Sequence, residues 1–225
     1  MNQDLASLID HTLLKPDATR TEVERLCAEA REHQFAGVCV YSGWVPLCVE
    51  RLAGSRVGVC TVAGFPHGAH HTEVKAFETA RAIELGASEI DVVLAIGLIK
   101  SGDFAGAESD LRAVVKVAGA RARIKAILET ALLTRDEKVA AAKLARAAGA
   151  AFVKTSTGFA GGGATAEDVR LLRMTVGPAM GIKASGGIRT AQDALAMIRA
   201  GATRIGTSAG VAILAEARTG TGARS

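Results

Sequence analysis

The chain has 225 residues, of which 49% are hydrophobic and only 4% aromatic, so it can form one large domain with a core of small aliphatic side chains. Its net charge is +4, but basic and acidic residues are interspersed, which argues against a nucleic-acid-binding protein. We find no signal peptide, and no apolar run reaches the roughly 18 residues of a membrane span. We therefore expect a cytoplasmic protein that binds neither nucleic acid nor membrane.

Eight short segments are predicted to form strands. In chain order they are residues 8–14, 37–41, 57–62, 89–95, 123–128, 151–155, 181–184 and 204–207. Most of them are continuous apolar runs, which is typical of parallel strands covered on both faces.

Helices are predicted between the strands, and several of them end at a Gly-Ala pair. The glycines of these pairs are Gly86, Gly119, Gly149 and Gly201. The first three are 33 and 30 residues apart, close to the length of one βα unit. Helix starts are indicated by Thr134, Thr165 and Thr190, each followed three residues later by an acidic residue.

This repetition predicts an α/β fold, and specifically a TIM (β/α)8 barrel. We expect a single domain over residues 1–225, with a loose tail from about residue 217. A doubly wound sheet is the alternative.

Polar residues at the carboxyl ends of the strands are candidates for the active site, because that is where a TIM barrel carries it. In chain order they are Asp10, Thr12, Asp91, Lys154, Thr155, Lys183 and Ser185. Asp91 alternates with Ile90 and Val92, so it is predicted to point into the barrel.

Lys154 and Lys183 end two predicted neighbouring strands at matching heights. Two such ammonium groups should repel each other, so that one becomes a neutral amine able to form a Schiff base. Asp91 would then carry protons for the imine and enamine steps. The alternative is a purely structural Lys154–Asp91 ion pair, with Lys183 reaching out to solvent.

Glycine-rich loops follow the predicted sixth, seventh and eighth strands. They contain Gly158, then Gly186 and Gly187, then Gly206. Loops after the last two strands of a TIM barrel commonly bind phosphate through backbone N–H groups, and Ser185 and Ser208 could add hydroxyl donors. These loops predict a phosphorylated substrate, although tight turns alone would also require glycine.

His67, His70 and His71 lie close together and raise the question of a zinc site. No Cys, Asp or Glu stands beside them in sequence to complete the ligand set, so we expect neither a metal nor another cofactor. None of the four cysteines, Cys27, Cys39, Cys48 and Cys60, forms a C-x-x-C pair, and we expect free buried thiols.

Six motifs resemble the deoxyribose-phosphate aldolase family in the same order. They are "IDHTLL", "VCVY", "EIDVV", "KTSTGF", "GIKASGGI" and "RIGTSAG", spread over residues 8–210. The resemblance implies a class I aldolase on a TIM barrel that reversibly cleaves 2-deoxy-D-ribose 5-phosphate to D-glyceraldehyde 3-phosphate and acetaldehyde.

The resemblance also implies roles for individual residues. Lys154 of "KTSTG" would form the Schiff base, and Lys183 of "KASGG" would lower the pKa of Lys154 and assist proton transfer. Asp91 would exchange protons together with a water molecule. Asp10 and Thr12 would shape the site, and Cys39 would lie near it.

The chain departs from some members of this family at the predicted phosphate contacts. Phe159 stands where some relatives have a lysine, and Ala209 where some have a second serine. These changes shift the phosphate contacts toward backbone N–H groups of Gly186, Gly187 and Gly206. The tail also lacks the tyrosine with which some relatives end, since Tyr41 is the only tyrosine in the chain.

Two other functions were considered. A Schiff-base aldolase for keto acids would need a cation for the carboxylate, and the sequence does not identify one. A nucleic-acid binder would need a basic stripe and stacking aromatics, which are missing. A homo-oligomer is common in the family, but the sequence shows no interface.

Overall fold

The computed structural model of the protein describes residues 5–220, and its centre is a closed barrel of eight parallel strands. The predicted TIM (β/α)8 fold is confirmed, because the eighth strand pairs with the first and leaves no open sheet edge. The strands are β1 Ile9–Leu13, β2 Gly37–Val40, β3 Gly58–Ala63, β4 Glu89–Val93, β5 Arg123–Ile127, β6 Phe152–Lys154, β7 Gly181–Ser185 and β8 Arg204–Thr207. Each strand overlaps its predicted segment, and the doubly wound alternative is wrong.

The helices pack around the outside of the barrel. They are α1 Arg20–Glu32, α2 Val45–Leu52, α3 Thr72–Glu84, α4 Ile96–Lys100, α5 Phe104–Ala118, α6 Arg135–Ala147, α7 Ala166–Val176, α8 Ala191–Ala200 and α9 Gly210–Gly220. Residues 217–220, where the loose tail was expected to begin, belong to α9, and the rest of that predicted tail lies outside the described residues. Within residues 5–220, no helix has the length and apolar character needed to cross a membrane.

The predicted helix starts are observed, with one difference. Thr134 and Thr190 each form the reciprocal capping box with the acidic residue three positions later. Thr165 accepts only the backbone N–H of Asp168, because Lys138 binds the Asp168 carboxylate at 2.6 Å.

The two faces of the barrel strands differ in chemistry. In β4, Ile90 and Val92 belong to the apolar layer between the sheet and the helices. Glu89 and Asp91 alternate with them and contact charged groups inside the barrel. The barrel interior is therefore polar at its centre, and the aliphatic core lies outside it. All four cysteines are free and buried, as expected.

A buried pair of opposite charges also lies between α3 and α5, outside the barrel. The side chain of Lys75 is fully buried, and its Nζ lies 2.8 Å from Asp110 Oδ2 and 3.1 Å from the carbonyl oxygen of Val93. The hydroxyl of Thr72 donates to the other carboxylate oxygen of Asp110. This pair joins the two helices to the end of β4.

We predict that Asp110→Ala lowers the free energy of unfolding by about 3–5 kcal/mol, because it leaves the Lys75 ammonium buried without its counter-ion. Urea denaturation would measure the loss. The double variant Asp110→Ala/Lys75→Met should recover most of it, since no uncompensated charge remains. Equal losses in the single and double variants would contradict this account of the pair.

Candidate active site

A cavity of about 320 Å³ opens at the carboxyl ends of the strands. Its lining residues are Thr12, Leu13, Leu14, Lys15, Pro16, Lys154, Thr157, Phe159, Lys183, Ser185, Gly186, Gly187, Ile188, Arg189, Gly206, Thr207 and Ser208. Eight predicted site residues are in this set: Thr12, Lys154, Lys183, Ser185, Gly186, Gly187, Gly206 and Ser208. Eight of the twelve predicted site residues thus lie together in one cavity.

Lys154 and Lys183 lie side by side at the base of this cavity. They are paired across β6 and β7, and both side chains are almost fully buried. Each Nζ lies 2.8 Å from the same oxygen, Asp91 Oδ2, so the two nitrogens can be no farther apart than twice that distance. The expected proximity of the lysines and the inward direction of Asp91 are both observed.

The electrostatics of the lysine pair differ from the prediction of simple repulsion. Besides Asp91, Lys183 Nζ has a second carboxylate partner, Asp10 Oδ2, at 2.6 Å. Burial alone would lower the pKa of Lys183, but the carboxylates of Asp10 and Asp91 outweigh it and hold this pKa well above its ordinary value. Lys183 is therefore a fixed cation. The alternative in which it reaches solvent is wrong, although its Lys154–Asp91 ion pair is present.

Asp91 is the residue at which the charges converge. Its side chain is fully buried, and burial alone would raise its pKa. Lys125, Lys154 and Lys183 together hold the pKa of Asp91 well below its usual range. Asp91 does not itself line the cavity, so it acts on cavity groups through the lysines.

A layer of charges beneath the lysine pair was missed by sequence reasoning. Lys125 Nζ lies 3.0 Å from Asp91 Oδ1 and 2.5 Å from Glu89 Oε2. Arg204 Nη1 lies 2.6 Å from Asp10 Oδ1 and 2.9 Å from Glu89 Oε2. The signal was available, because a single charge in phase with the inward positions of a short apolar strand marks the barrel interior.

The remaining predicted site residues lie outside the cavity lining. Asp10 is fully buried and binds Lys183 and Arg204. The Thr155 hydroxyl donates to the carbonyl oxygen of Ser185 and accepts the Ser185 N–H, so it joins β6 to β7. Gly158 adopts a left-handed φ of 87° between two lining residues. Asp10, Thr155 and Gly158 thus support residues that line the cavity, and their binding contacts stay predictions.

The glycines of the phosphate prediction have distinct structural reasons. Gly186 and Gly187 have φ of 90° and 78°, which favours glycine. Gly206 allows close approach, since a Cβ there would lie 2.8 Å from Cε of Lys183. Ser208 lies at the approach to α9. Two cationic residues that were not predicted, Lys15 and Arg189, also line the cavity.

Glu129 supports the loop that follows β6 and was also missed. It has a left-handed φ of 56°, which the sequence does not signal for a glutamate. Its buried carboxylate accepts the backbone N–H of Thr157 at 3.2 Å and also the Thr157 hydroxyl. Thr157 Oγ1 in turn accepts the N–H of Phe159, so Glu129 fixes two lining residues.

The side chains that could jointly hold a metal ion, among the residues described, are Cys39, Cys60 and Asp91, and Asp10, Cys60 and Glu89. Neither group includes His67, His70 or His71. An ammonium already sits in this region, because Lys125 Nζ contacts Cys60 Sγ at 3.2 Å and Asp91 Oδ1 at 3.0 Å. The Cys60 sulfur and the Asp91 oxygen therefore contact a lysine ammonium group.

Comparisons with known proteins agree over the length of the barrel. The sequence model of the DeoC/LacD family aldolases matches residues 5–216. The chain is 59% identical over 206 residues to a protein named deoxyribose-phosphate aldolase from Streptococcus uberis, covering 92% of this chain and 93% of the relative. It is 56% identical over 214 residues to the protein of the same name from Geobacillus sp., covering 95% and 96%.

A solved structure gives a similar result. The chain resembles the tetrameric deoxyribose phosphate aldolase from Aeropyrum pernix with a TM-score of 0.87 and 36% identity, covering 96% of this chain and 92% of that one. The likeness therefore extends over the whole barrel and is not confined to a single motif.

We predict that Asp10→Asn lowers the free energy of unfolding at pH 7 by about 3–5 kcal/mol, because Lys183 and Arg204 both lose a buried partner. Burial would raise the pKa of Asp10, but Lys183, Lys125 and Arg204 lower it overall. A carboxylate whose pKa is lower in the folded than in the unfolded protein contributes its full stabilisation of the folded state above the unfolded pKa of about 3.9. That contribution is lost as the pH falls through the folded pKa.

The difference in free energy of unfolding between the wild type and Asp10→Asn should accordingly be smaller by about 1 kcal/mol at pH 3 than at pH 7, as measured by urea denaturation at both pH values. Asp17→Asn, at an exposed position, is the control and should change little at either pH. A difference that stays constant or grows at pH 3 would contradict the sign of the pKa shift.

Proposed function

The chain belongs to the DeoC/LacD family of aldolases, and on that basis we propose that it reversibly cleaves 2-deoxy-D-ribose 5-phosphate to D-glyceraldehyde 3-phosphate and acetaldehyde through a Schiff base on Lys154. It is thus an aldolase, a carbon–carbon lyase, and its close relatives named deoxyribose-phosphate aldolase support the substrate. The covalent step is supported above all by one observation: two cavity lysines share a single buried carboxylate oxygen, Asp91 Oδ2.

The difference between the two lysines favours Lys154 as the nucleophile. Both line the cavity, but Lys183 is held by two carboxylates, whereas among residues 5–220 Lys154 pairs with one carboxylate, that of Asp91. A lysine can attack an aldehyde only after it loses its proton, and Lys183 is the one fixed in its charged form.

Charge balance supports the same assignment. The ion-pair network around Asp91 joins four buried cations to three buried carboxylates: Lys125, Lys154, Lys183 and Arg204 to Asp10, Glu89 and Asp91. Once Lys154 is neutral, three cations face three anions. A neutral amine at this position therefore leaves the interior balanced.

The proposed reaction begins at Lys154. The Lys154 amine adds to the C1 aldehyde of the open-chain sugar, and loss of water gives an iminium ion. Removal of the proton from the C3 hydroxyl breaks the C2–C3 bond, which releases D-glyceraldehyde 3-phosphate as the electron pair moves into the C1–C2 enamine. Protonation at C2 and hydrolysis of the imine release acetaldehyde and restore the amine.

Proton transfer in these steps is assigned to Asp91 together with Lys183. Asp91 touches both lysine nitrogens but lies beneath the cavity, so this carboxylate would accept and return protons by way of the Lys183 ammonium or a water molecule. One carboxylate can thereby serve the imine and enamine steps in turn.

The phosphate is proposed to bind where the loops after β7 and β8 line the cavity. Backbone N–H groups of Gly186, Gly187 and Gly206 and the hydroxyl of Ser208 would donate to it. Phe159 offers no charge for the phosphate. Arg189, in the loop after β7, and Lys15, in the segment after β1, line the cavity and would supply cations instead.

The wider setting is proposed on the same basis. The tetramer of the Aeropyrum pernix relative supports a homo-oligomer for this chain as well. Location in the cytoplasm, with the phosphorylated sugar as its small-molecule partner, stays a prediction.

We predict that borohydride reduction in the presence of acetaldehyde labels the tryptic peptide containing Lys154. Mass spectrometry would locate the label, and pyruvate in place of acetaldehyde should give little labelling. Label on Lys183 in the wild type would reverse the two roles.

We further predict that Lys183→Leu reduces turnover by roughly a hundredfold or more, since it removes both the proton relay and the second cation.

We also predict that Arg189→Ala raises KM for 2-deoxy-D-ribose 5-phosphate by about ten- to a hundredfold, the effect of one charge-assisted hydrogen bond. Lys15→Ala should act in the same direction. Steady-state kinetics with unphosphorylated 2-deoxy-D-ribose should show little change, because no phosphate contact is lost. Arg199→Ala, on the exposed side of α8, is the matched control; equal effects on both substrates would argue against phosphate contact.

A further inference from the structure

Lys125 is a third buried lysine of the barrel interior, and the reaction described above does not use it. It lies on β5 as the strand partner of Asp91 and is fully buried. It is not among the residues that line the cavity, so it does not meet the substrate. Any contribution to the reaction must therefore pass through its neighbours.

The two oxygens of Asp91 have separate partners. Oδ1 accepts from Lys125 Nζ at 3.0 Å and from the Cys60 thiol at 3.1 Å. Oδ2 accepts from Lys154 and Lys183, each at 2.8 Å. Lys125 thus binds the side of the carboxylate that faces away from the reacting lysines.

We propose that Lys125 is a positioning residue for the aldolase reaction: its ammonium group binds Oδ1 of Asp91, keeps this carboxylate ionised, and directs Oδ2 toward Lys154 and Lys183. This inference rests on the proposed function, because it assigns Lys125 an effect on the group that exchanges protons in the Schiff-base steps.

The position of Lys125 is itself fixed from below. Glu89 Oε2 lies 2.5 Å from its Nζ, and Asp10 Oδ2 lies 3.8 Å away. Burial would lower the pKa of Lys125, but Asp91, Cys60 and Asp10 together hold it above its ordinary value. Lys125 therefore remains charged when Lys154 loses its proton, which is the stage at which Asp91 has lost one of its three cations.

The other groups around Asp91 do not replace this contact. Titratable or charged side chains that face it, by strand, are Asp10 of β1, Cys39 of β2, Cys60 of β3, Lys125 of β5, Lys154 of β6 and Lys183 of β7, with Arg204 of β8 and Glu89 of β4 one contact further away. Lys125 is the strongest of the groups that lower the pKa of Asp91.

The test is the pH dependence of kcat for Lys125→Met. Loss of the cation should raise the pKa of Asp91, so the acid limb of the profile should move to higher pH by about one to three units. Activity relative to the wild type should fall further at pH 5 than at pH 8. Lys125→Arg should restore the limb toward its wild-type position.

Lys75→Met is the matched control, because Lys75 is another fully buried and paired lysine but has no contact with Asp91. It should lose stability without moving the acid limb. All variants are compared at a temperature at which circular dichroism shows them folded. An unchanged limb in Lys125→Met, or an equal shift in Lys75→Met, would overturn the proposal.

Lys125→Met is expected to fold, since each carboxylate that Lys125 contacts keeps another cation. Glu89 keeps Arg204, Asp10 keeps Lys183, and Asp91 keeps Lys154. If it does not fold, Lys125→Gln takes its place with the same expectation. If neither folds while Lys75→Met does, Lys125 is a stability residue and the proposal is wrong.

Borohydride labelling with acetaldehyde separates this inference from the proposed function. At pH 8 both the wild type and Lys125→Met should carry the label on Lys154. No label on the wild type would remove the Schiff-base proposal itself. A labelled wild type together with an unshifted profile in Lys125→Met would remove only the role of Lys125.

Discussion

The carboxylate of Asp91 is the interaction on which the rest of the site depends. It lies fully buried in the barrel and binds lysines from three consecutive strands. An isolated buried ammonium is strongly unfavourable, and so is an isolated carboxylate. Each of the four groups is stable in the interior because the others are there. The same contact brings two lysine nitrogens to the base of the cavity, so the stability of the interior and the proposed reaction depend on one residue.

Much of the fold and part of the site could be predicted from local sequence patterns. Apolar runs gave the strands to within a few residues, and the threonine caps located helix starts, because both depend on neighbouring residues. The pairing of Lys154 with Lys183 followed from strand order alone. Lys125 and Arg204 were not predicted because the carboxylates that bind them lie on strands distant in sequence. The backbone turn at Glu129 could not be predicted, since glutamate, unlike glycine, asparagine or aspartate, does not favour a left-handed φ.

The prediction of simple repulsion between the lysines did not include Asp10, for a related reason. Considered alone, two adjacent ammonium groups repel, and either could lose its proton. Asp10 breaks this symmetry, because it binds Lys183 and not Lys154. It reaches Lys183 only because β1 pairs with β8 when the sheet closes. An effect that separates two otherwise similar lysines thus comes from the topology of the barrel and not from the motifs that contain them.

Closure of the barrel has a further consequence for the lysines of the middle strands. Asp10 lies on the first strand and Arg204 on the last, and their contact forms only once the two ends of the sheet have joined. Until then these lysines are solvated amines like those of any surface lysine. Under the Schiff-base proposal, a nascent or partly unfolded chain would therefore lack the buried charge environment in which Lys154 is proposed to react.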